Sequence, residues 1–268
     1  MLSLDLKAPP RHSLGKLRVH RGFQSRHLHR ARDLAIWMPP GFAAEPDARY
    51  PVIILHDGQN LFDPKTSFIP GHTWNAHRTV ARLIRAGLIP PLVLVGIYNT
   101  GEHRIDEYTP TRDPRRQAGG HAGAYGRMIV EELLPWLVEH HRTLPGPRNT
   151  ALAGSSLGGL ATLAIGLRHP EVFGALAAFS PSVWWDRKWI IKSVAKMPRR
   201  THQRLWVDIG TKEGPGMVEV TRDFRDALVA KGWREGDDLG YHEAKGAKHT
   251  ERAWGRRFGR MLEFLVRE

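Results

Sequence analysis

The stretch "ALAGSSLGGLATLA", residues 151–164, sets a short apolar run before two serines among glycines and follows them at once with a second apolar run. Gly154, Ser156 and Gly158 satisfy G-x-S-x-G, a pattern in which the serine sits on a sharp strand-to-helix turn and presents its hydroxyl above a sheet. Small neighbours are needed because the turn is tight. A chain with 27 glycines in 268 residues can produce the pattern by chance, so its setting decides. "NTALAG" reads as a strand running directly in. Residues 156–168 read as a helix running directly out, with Leu157, Leu160, Ala161, Leu163, Ala164, Ile165 and Leu167 leaving almost no polar face, as expected at the centre of a molecule. Ser156 is the candidate nucleophile. The competing reading is that Ser155 and Ser156 cap the helix, a place serine favours.

Outward from this turn, short β-rich runs alternate with longer helical patterns from about residue 50 onward, the order a mostly parallel sheet covered by helices requires. "YPVIILH" and "PLVLVGIY" read as buried strands, and "FGALAAFS", "RLWVDIG" and "YHEAKG" as later ones. Helices are expected over 74–88, 125–139, 218–231 and 251–267. "KLRVHRGF" and "DLAIWMP" come first with no helix between them, which predicts an antiparallel lead-in at one edge. A long polar loop spans 99–123, and loops of that length usually carry function. The expected organisation is an N-terminal extension over 1–15, poorly ordered or packed on an edge, and one α/β domain over 16–268.

Composition narrows the chemistry. There is no cysteine, which removes disulfides, thiolate metal sites and cysteine nucleophiles together. No segment reaches the roughly 18 apolar residues of a membrane span, and the N-terminus lacks a signal-peptide core, so a soluble cytoplasmic protein is expected. Lysine and arginine exceed the acids by 40 − 27 = 13. That charge is mostly spread out; Arg252, Arg256 and Arg260 share one helical face, read as solvated. No zinc-ligand spacing, helix-turn-helix or RNA-binding motif accompanies it, so a nucleic-acid partner is not expected.

A neutral serine hydroxyl is a poor nucleophile and needs a base held by an acid, in the chain order serine, acid, histidine. Of the histidines after Ser156, His169 abuts a helix-stopping proline, His202 sits in a basic connector and His242 belongs to a strand. His249 stands in the loop "KGAKHTERAW" between the last strand and the last helix, and is the candidate base. "WVDIGTKEG" offers Asp208 within a strand and Glu213 just beyond its carboxyl end, where catalytic groups gather in open α/β sheets. Glu213 is therefore preferred as the acid, with Asp208, Asp237 and Asp238 as alternatives.

"LHDGQNLFD", "SFIPGHTW", "VGIYNTGEHRIDEYTP", "AGSSLGGLAT", "FSPSVWW", "DIGTKEG" and "KHTERAW" occur in this order from about residue 16 to the end. In them the chain resembles the α/β-hydrolase family of esterases that includes esterase D, enterochelin esterase, feruloyl and acetyl xylan esterases and the mycolyltransferases. The resemblance implies an α/β-hydrolase fold, a mostly parallel central sheet with helices on both faces and an antiparallel N-terminal edge. It also implies Ser156 as nucleophile, His249 as base and Glu213 as orienting acid. Many relatives carry aspartate where this chain has Glu213, and some work with serine and histidine alone.

Acyl transfer needs two donors at the developing oxyanion, and in this fold one is the backbone N–H after the nucleophile, here Leu157. The second is expected from the N–H of Gln59 or Gly58 in "HDGQN", with Gly58 letting the backbone approach; the alternative is a plain turn. His56 beside Asp57, and His72 with His77, invite a metal reading, but a five-residue separation does not align two ligands on one helix face. No metal and no cofactor is expected. Trp74 reads as a pocket wall or a core residue. Trp184 and Trp185, in "PSVWWDRKW", read as an acyl or alcohol pocket or as packing under a lid, and Trp254 as core. Arg104, Glu107 and Tyr108 match the family's R-x-x-EYTP stretch and are expected to form an internal ion pair or a substrate rim.

The function these residues support is a serine esterase working through an acyl-enzyme on a small-molecule ester. The alternatives are an acyltransferase on the same site and a non-catalytic binding protein on the same scaffold. A chain without the N-terminal domain of enterochelin esterase or a secretion signal is expected to act on a modest intracellular ester rather than on a trilactone siderophore or plant-wall polymer. The residues fix no oligomeric state.

Overall fold

Runs rich in Val, Ile and Leu become central strands because a strand covered on both faces has no place for the polar residues of a half-exposed one. In the computed structural model, which describes residues 14–198 and 200–266, eight strands form one sheet. They are β1 (Lys16–Phe23), β2 (Arg32–Met38), β3 (Val52–His56), β4 (Val93–Ile97), β5 (Thr150–Ser155), β6 (Ala175–Phe179), β7 (Arg204–Gly210) and β8 (Leu239–Ala244). Their spatial order is β1-β2-β4-β3-β5-β6-β7-β8. β1 with β2 and β2 with β4 are antiparallel, and every later neighbour is parallel. This is the α/β-hydrolase fold, with its antiparallel edge at the N-terminus. Residues 1–13 of the expected extension lie outside the described residues. Leu14, just after them, accepts a hydrogen bond from Trp37 Nε1 (2.8 Å).

Alternate residues of the strands feed two cores. Ile53, Leu55, Leu94, Ala153 and Phe179 face α1 (Ala76–Arg85) and α6 (Glu251–Leu265). Val52, Ile54, Val95, Leu152 and Val207 face α2 (122–140), α3 (Leu157–Gly166), α4 (Trp185–Lys196) and α5 (Met217–Lys231). In α3 every residue from 158 to 166 is buried. Gly166 has no side chain because a Cβ there would stand 2.1 Å from Leu176 of β6, so α3 lies directly on the sheet.

Two expectations change. The helix expected over 125–139 begins at Ala122 and widens into a π-type stretch at Met128–Leu133 before Leu134–His140, with Pro135 taken up in the opening turn of that last part. The polar loop 99–123 is ordered by a short helix, Arg104–Tyr108, and by a two-residue strand pair, Arg112–Asp113 with Ala118–Gly119.

Candidate active site

β5 delivers the chain into a bend at Ser156, whose φ of 58° and ψ of −123° lie where side-chain-bearing residues rarely sit. The bend is tied down on both sides. The Ser156 amide donates to the carbonyl of Phe179 at the end of β6 (2.9 Å), and its carbonyl accepts from the amide of Ser182 (3.0 Å). A Cβ on Gly154 would stand 2.7 Å from the backbone of Gly158 and from the His56 ring, which is why the residue must be glycine. Ser156 occupies the N-cap position of α3 without a side-chain capping bond. Its side chain is half-buried, and the first-turn amides of α3, Leu157 among them, have no intrahelical acceptor.

Glu213 follows β7 and His249 precedes α6, where Thr250 caps the helix by accepting from Ala253 (3.3 Å). The His249 ring turns Nδ1 to Glu213 Oε2 at 2.7 Å. Glu213 Oε1 accepts from Ser180 Oγ (2.6 Å) and from the Gly210 amide (2.7 Å). Burial pushes the Glu213 carboxyl up, but the bonds from His249, Ser180 and Gly210 outweigh it and hold its pKa below the usual glutamate value. Trp254 meets His249 edge-on, with ring centroids 4.8 Å apart. Among the described residues no hydrogen bond joins Ser156 Oγ to His249, a contact that commonly tightens only when substrate is bound.

The other acids considered from sequence go elsewhere. Asp208 is fully buried and gripped by Arg257 through Nε (3.0 Å) and Nη2 (2.9 Å). Burial pushes its carboxyl up against the pull of that guanidinium. Asp238 pairs with Arg200 and Asp237 with Arg234, at the opposite end of β8 from His249.

The early loop after β3 is built on Asp57, which adopts φ 55°, ψ 47°. Arg104 holds its carboxylate through Nε and Nη2, both at 2.7 Å, and Asn99 adds a third bond at 2.7 Å. Burial raises the Asp57 carboxyl, yet Arg104 and Asn99 together bring its pKa below the ordinary value. Arg104 and Glu107 therefore do not pair with each other: Glu107 is bound by buried Arg32 at 3.1 and 3.2 Å. His56 is buried under the serine turn with Nδ1 at 2.9 Å from Tyr125 Oη, and burial pushes its pKa down to about 4, so it is a neutral packing group. Gly58 packs against β4, where a Cβ would lie 2.4 Å from the Gly96 carbonyl. Its small size thus serves sheet packing. Gln59 is half-exposed, and its side-chain oxygen accepts from the Asn99 amide (3.3 Å).

Of the four residues weighed for substrate contact, three are buried. Trp74 is buried among Phe179, Trp254 and Phe258, on the core side of the site. Trp185 is 1% exposed, opens α4 and donates from Nε1 to the Thr111 carbonyl (3.0 Å), anchoring the 99–123 segment. Tyr108 is also buried, and its Oη accepts from the Asp57 amide (3.1 Å), so it braces the early loop. Trp184 alone stays partly exposed, two residues beyond Ser182, with the Arg116 guanidinium 4.9 Å from its ring centroid. Sequence reasoning missed Ser180 and Arg257, and weighed Asp57 only beside His56 in a metal reading. Arg257 did carry a signal, since it falls on the same side of α6 as buried Trp254, Phe258 and Met261.

Among the described residues no group of three His, Asp or Glu side chains is placed to hold a metal, and no helix is long and apolar enough to cross a membrane.

A mostly parallel sheet carrying a strained serine bend and a histidine–carboxylate pair beyond the ends of its strands defines the α/β-hydrolase class of enzyme. The family model described as "Putative esterase" matches residues 25–265, and the chain belongs to that family of carboxylic ester hydrolases. YbbA, an uncharacterized protein of Bacillus subtilis, is 26% identical over 257 residues, covering 91% of this chain and 96% of its own. The ferri-bacillibactin esterase BesA of the same organism is 33% identical over 187 residues, covering 64% and 61%. A ferulic acid esterase of known structure shares the fold with a TM-score of 0.76 at 18% identity, covering 94% of this chain and 98% of that one.

Proposed function

We propose that this esterase cleaves small-molecule carboxylic esters through an acyl-enzyme formed on Ser156, with His249 as general base and Glu213 as the acid that orients it. Ser156 Oγ attacks the ester carbonyl while its proton passes to His249 Nε2, leaving Nδ1–H bonded to Glu213. The tetrahedral oxyanion is met by the Leu157 amide and by the amide of Gln59 or Gly58, donors of a kind worth about 3 kcal/mol each to the transition state. Collapse expels the alcohol, which takes the proton from His249. Water then repeats the sequence on the acyl group and frees the acid.

The observation that carries this reading is the 2.7 Å contact of His249 Nδ1 with Glu213, because it commits the ring's other nitrogen to the side away from the acid. The bend at Ser156 and the uncapped amides of α3 support it. Relatives named for ferri-bacillibactin and ferulic acid esters favour a substrate with a bulky acyl or alcohol part, and partly exposed Trp184 is the residue best placed to meet it. The segment 16–268 acts as a single catalytic domain in this reading.

A serine-directed phosphonate should label Ser156, and Ser156→Ala should lose both the label and p-nitrophenyl ester turnover by about a million-fold, as for removal of a catalytic serine. Wild-type turnover by the alanine variant would discard the mechanism. Added alcohols that divert the acyl group from water would reveal transfer instead of hydrolysis.

A further inference from the structure

Ser180 directly follows β6 and is buried, with φ at 44°, in direct contact with the acid of the candidate site. A serine hydroxyl has one proton to donate and two lone pairs to accept. Both lone pairs are claimed by groups that can only donate: Trp254 Nε1 at 2.9 Å and Arg257 Nη2 at 3.0 Å. The one remaining direction leads to Glu213 Oε1, at 2.6 Å. We propose that Ser180 is a positioning residue for ester cleavage: Trp254 and Arg257 lock its hydroxyl so that its proton is directed onto Glu213 Oε1, which leaves Oε2 to hold the His249 ring.

Arg257 is fixed in turn. Its guanidinium is held by Asp208, whose carboxylate also accepts from Trp206 Nε1 (3.1 Å) and from the Ser180 amide (3.1 Å). Asp208 thus serves the site from behind, through Arg257 and Ser180. The second oxygen of the acid cannot rotate toward His249 without abandoning both Ser180 and the Gly210 amide. The titratable and charged groups gathered about Glu213 are His249 on one side and Arg257, 3.8 Å from Oε1, on the other, with Asp208 behind Ser180. Both Ser180 and Arg257 stabilise the ionised carboxylate, so losing either raises the proton affinity of the coupled His249–Glu213 pair.

This role rests on the reading of Glu213 and His249 given above, and the test separates the two. With Ser156→Ala as reference, Ser180→Ala should lower kcat on an uncharged ester roughly 10- to 100-fold, as expected for loss of an outer orienting partner, with KM within about twofold. The acid edge of its pH–kcat profile should move to higher pH. Trp254→Phe frees one lone pair of Ser180 and should move both readouts the same way by a smaller amount; it decides the matter if Ser180→Ala does not fold. Loss of activity in Ser156→Ala and Glu213→Gln with wild-type kcat and acid edge in Ser180→Ala and Trp254→Phe would overturn the role of Ser180 alone. So would a fall in kcat with no movement of the acid edge, the mark of packing damage. Full activity in Ser156→Ala or in Glu213→Gln would overturn the underlying mechanism instead.

Discussion

His249 Nδ1 stands 2.7 Å from Glu213 Oε2, and the two side chains differ sharply in setting: the carboxylate is 1% exposed and the imidazole 42%. In the proposed mechanism the acid is therefore the fixed member and the base the one that faces incoming ligand. Glu213→Gln keeps the shape but can offer an N–H to Nδ1, favouring the wrong tautomer of the ring. It should lower kcat by about 100- to 10,000-fold, the upper value being the cost of a comparable change in a serine protease triad. Glu213→Asp withdraws the carboxylate by one methylene and should fall between. Steady-state kinetics on a chromogenic ester would check both, and a Gln variant with unchanged kcat would remove Glu213 from the site.

The Arg104–Asp57 pair should be worth more to the fold than a surface ion pair, because Asp57 is buried and meets the guanidinium at two points. Arg104→Met strands a buried carboxylate with Asn99 alone and should cost about 3 kcal/mol of unfolding free energy. The folded Asp57 carboxyl titrates below its ordinary value, so its contribution is complete above about pH 4 and is lost as pH falls further. The gap in stability between the wild type and Asp57→Asn should therefore be present at pH 7 and narrow on acidification. Urea unfolding at pH 7 and pH 3 measures it; a gap that widens toward pH 3 would reverse the sign assigned here.

The positions proposed for catalysis lie along the chain where sequence can mark them: Ser156, Glu213 and His249 each follow a strand end, a place signalled by apolar runs and glycines. What holds Glu213 was not legible in this way: Ser180 and Arg257 are 77 residues apart and meet only because β6 and α6 pack together. The tryptophans stayed open between two readings for a related reason. An indole beside a polar segment can line a cavity or prop it from beneath, and only the fold tells Trp184 from Trp185.

Gly154 offers a test of the serine bend separate from its chemistry. A Cβ there would press on two backbone atoms of Gly158 at 2.7 Å, which no rotamer change can relieve. Gly154→Ala should cost about 1–3 kcal/mol of stability. It should also cut kcat about tenfold or more by displacing Ser156 and Leu157. Gly123→Ala is the control: nothing lies within 4 Å of a Cβ there, and its φ is ordinary for a side chain. It should be neutral or stabilising by up to about 1 kcal/mol. Equal thermal stability and kcat in both variants would show that the bend tolerates a side chain and is looser than its contacts imply.

Neighbouring tryptophans should separate binding from stability. Trp185 is buried, its Nε1 holds the Thr111 carbonyl, and its ring fills the space that a Cβ on Gly119 would enter at 2.7 Å. Trp185→Ala should then cost about 3–5 kcal/mol, as for other large core truncations, and loosen the 99–123 segment. Trp184 is partly exposed two residues beyond Ser182, with the Arg116 guanidinium 4.9 Å from its ring centroid and the Trp185 ring 6.1 Å away. Trp184→Ala should leave the unfolding midpoint nearly unchanged and raise KM for aromatic esters several-fold more than for acetate esters, because an aromatic group loses the ring it stacks on. Thermal melts and paired kinetics on the two ester types decide it. If Trp184→Ala destabilises the protein as much as Trp185→Ala while leaving the KM ratio at its wild-type value, Trp184 is a packing residue and the substrate's bulky part is met elsewhere.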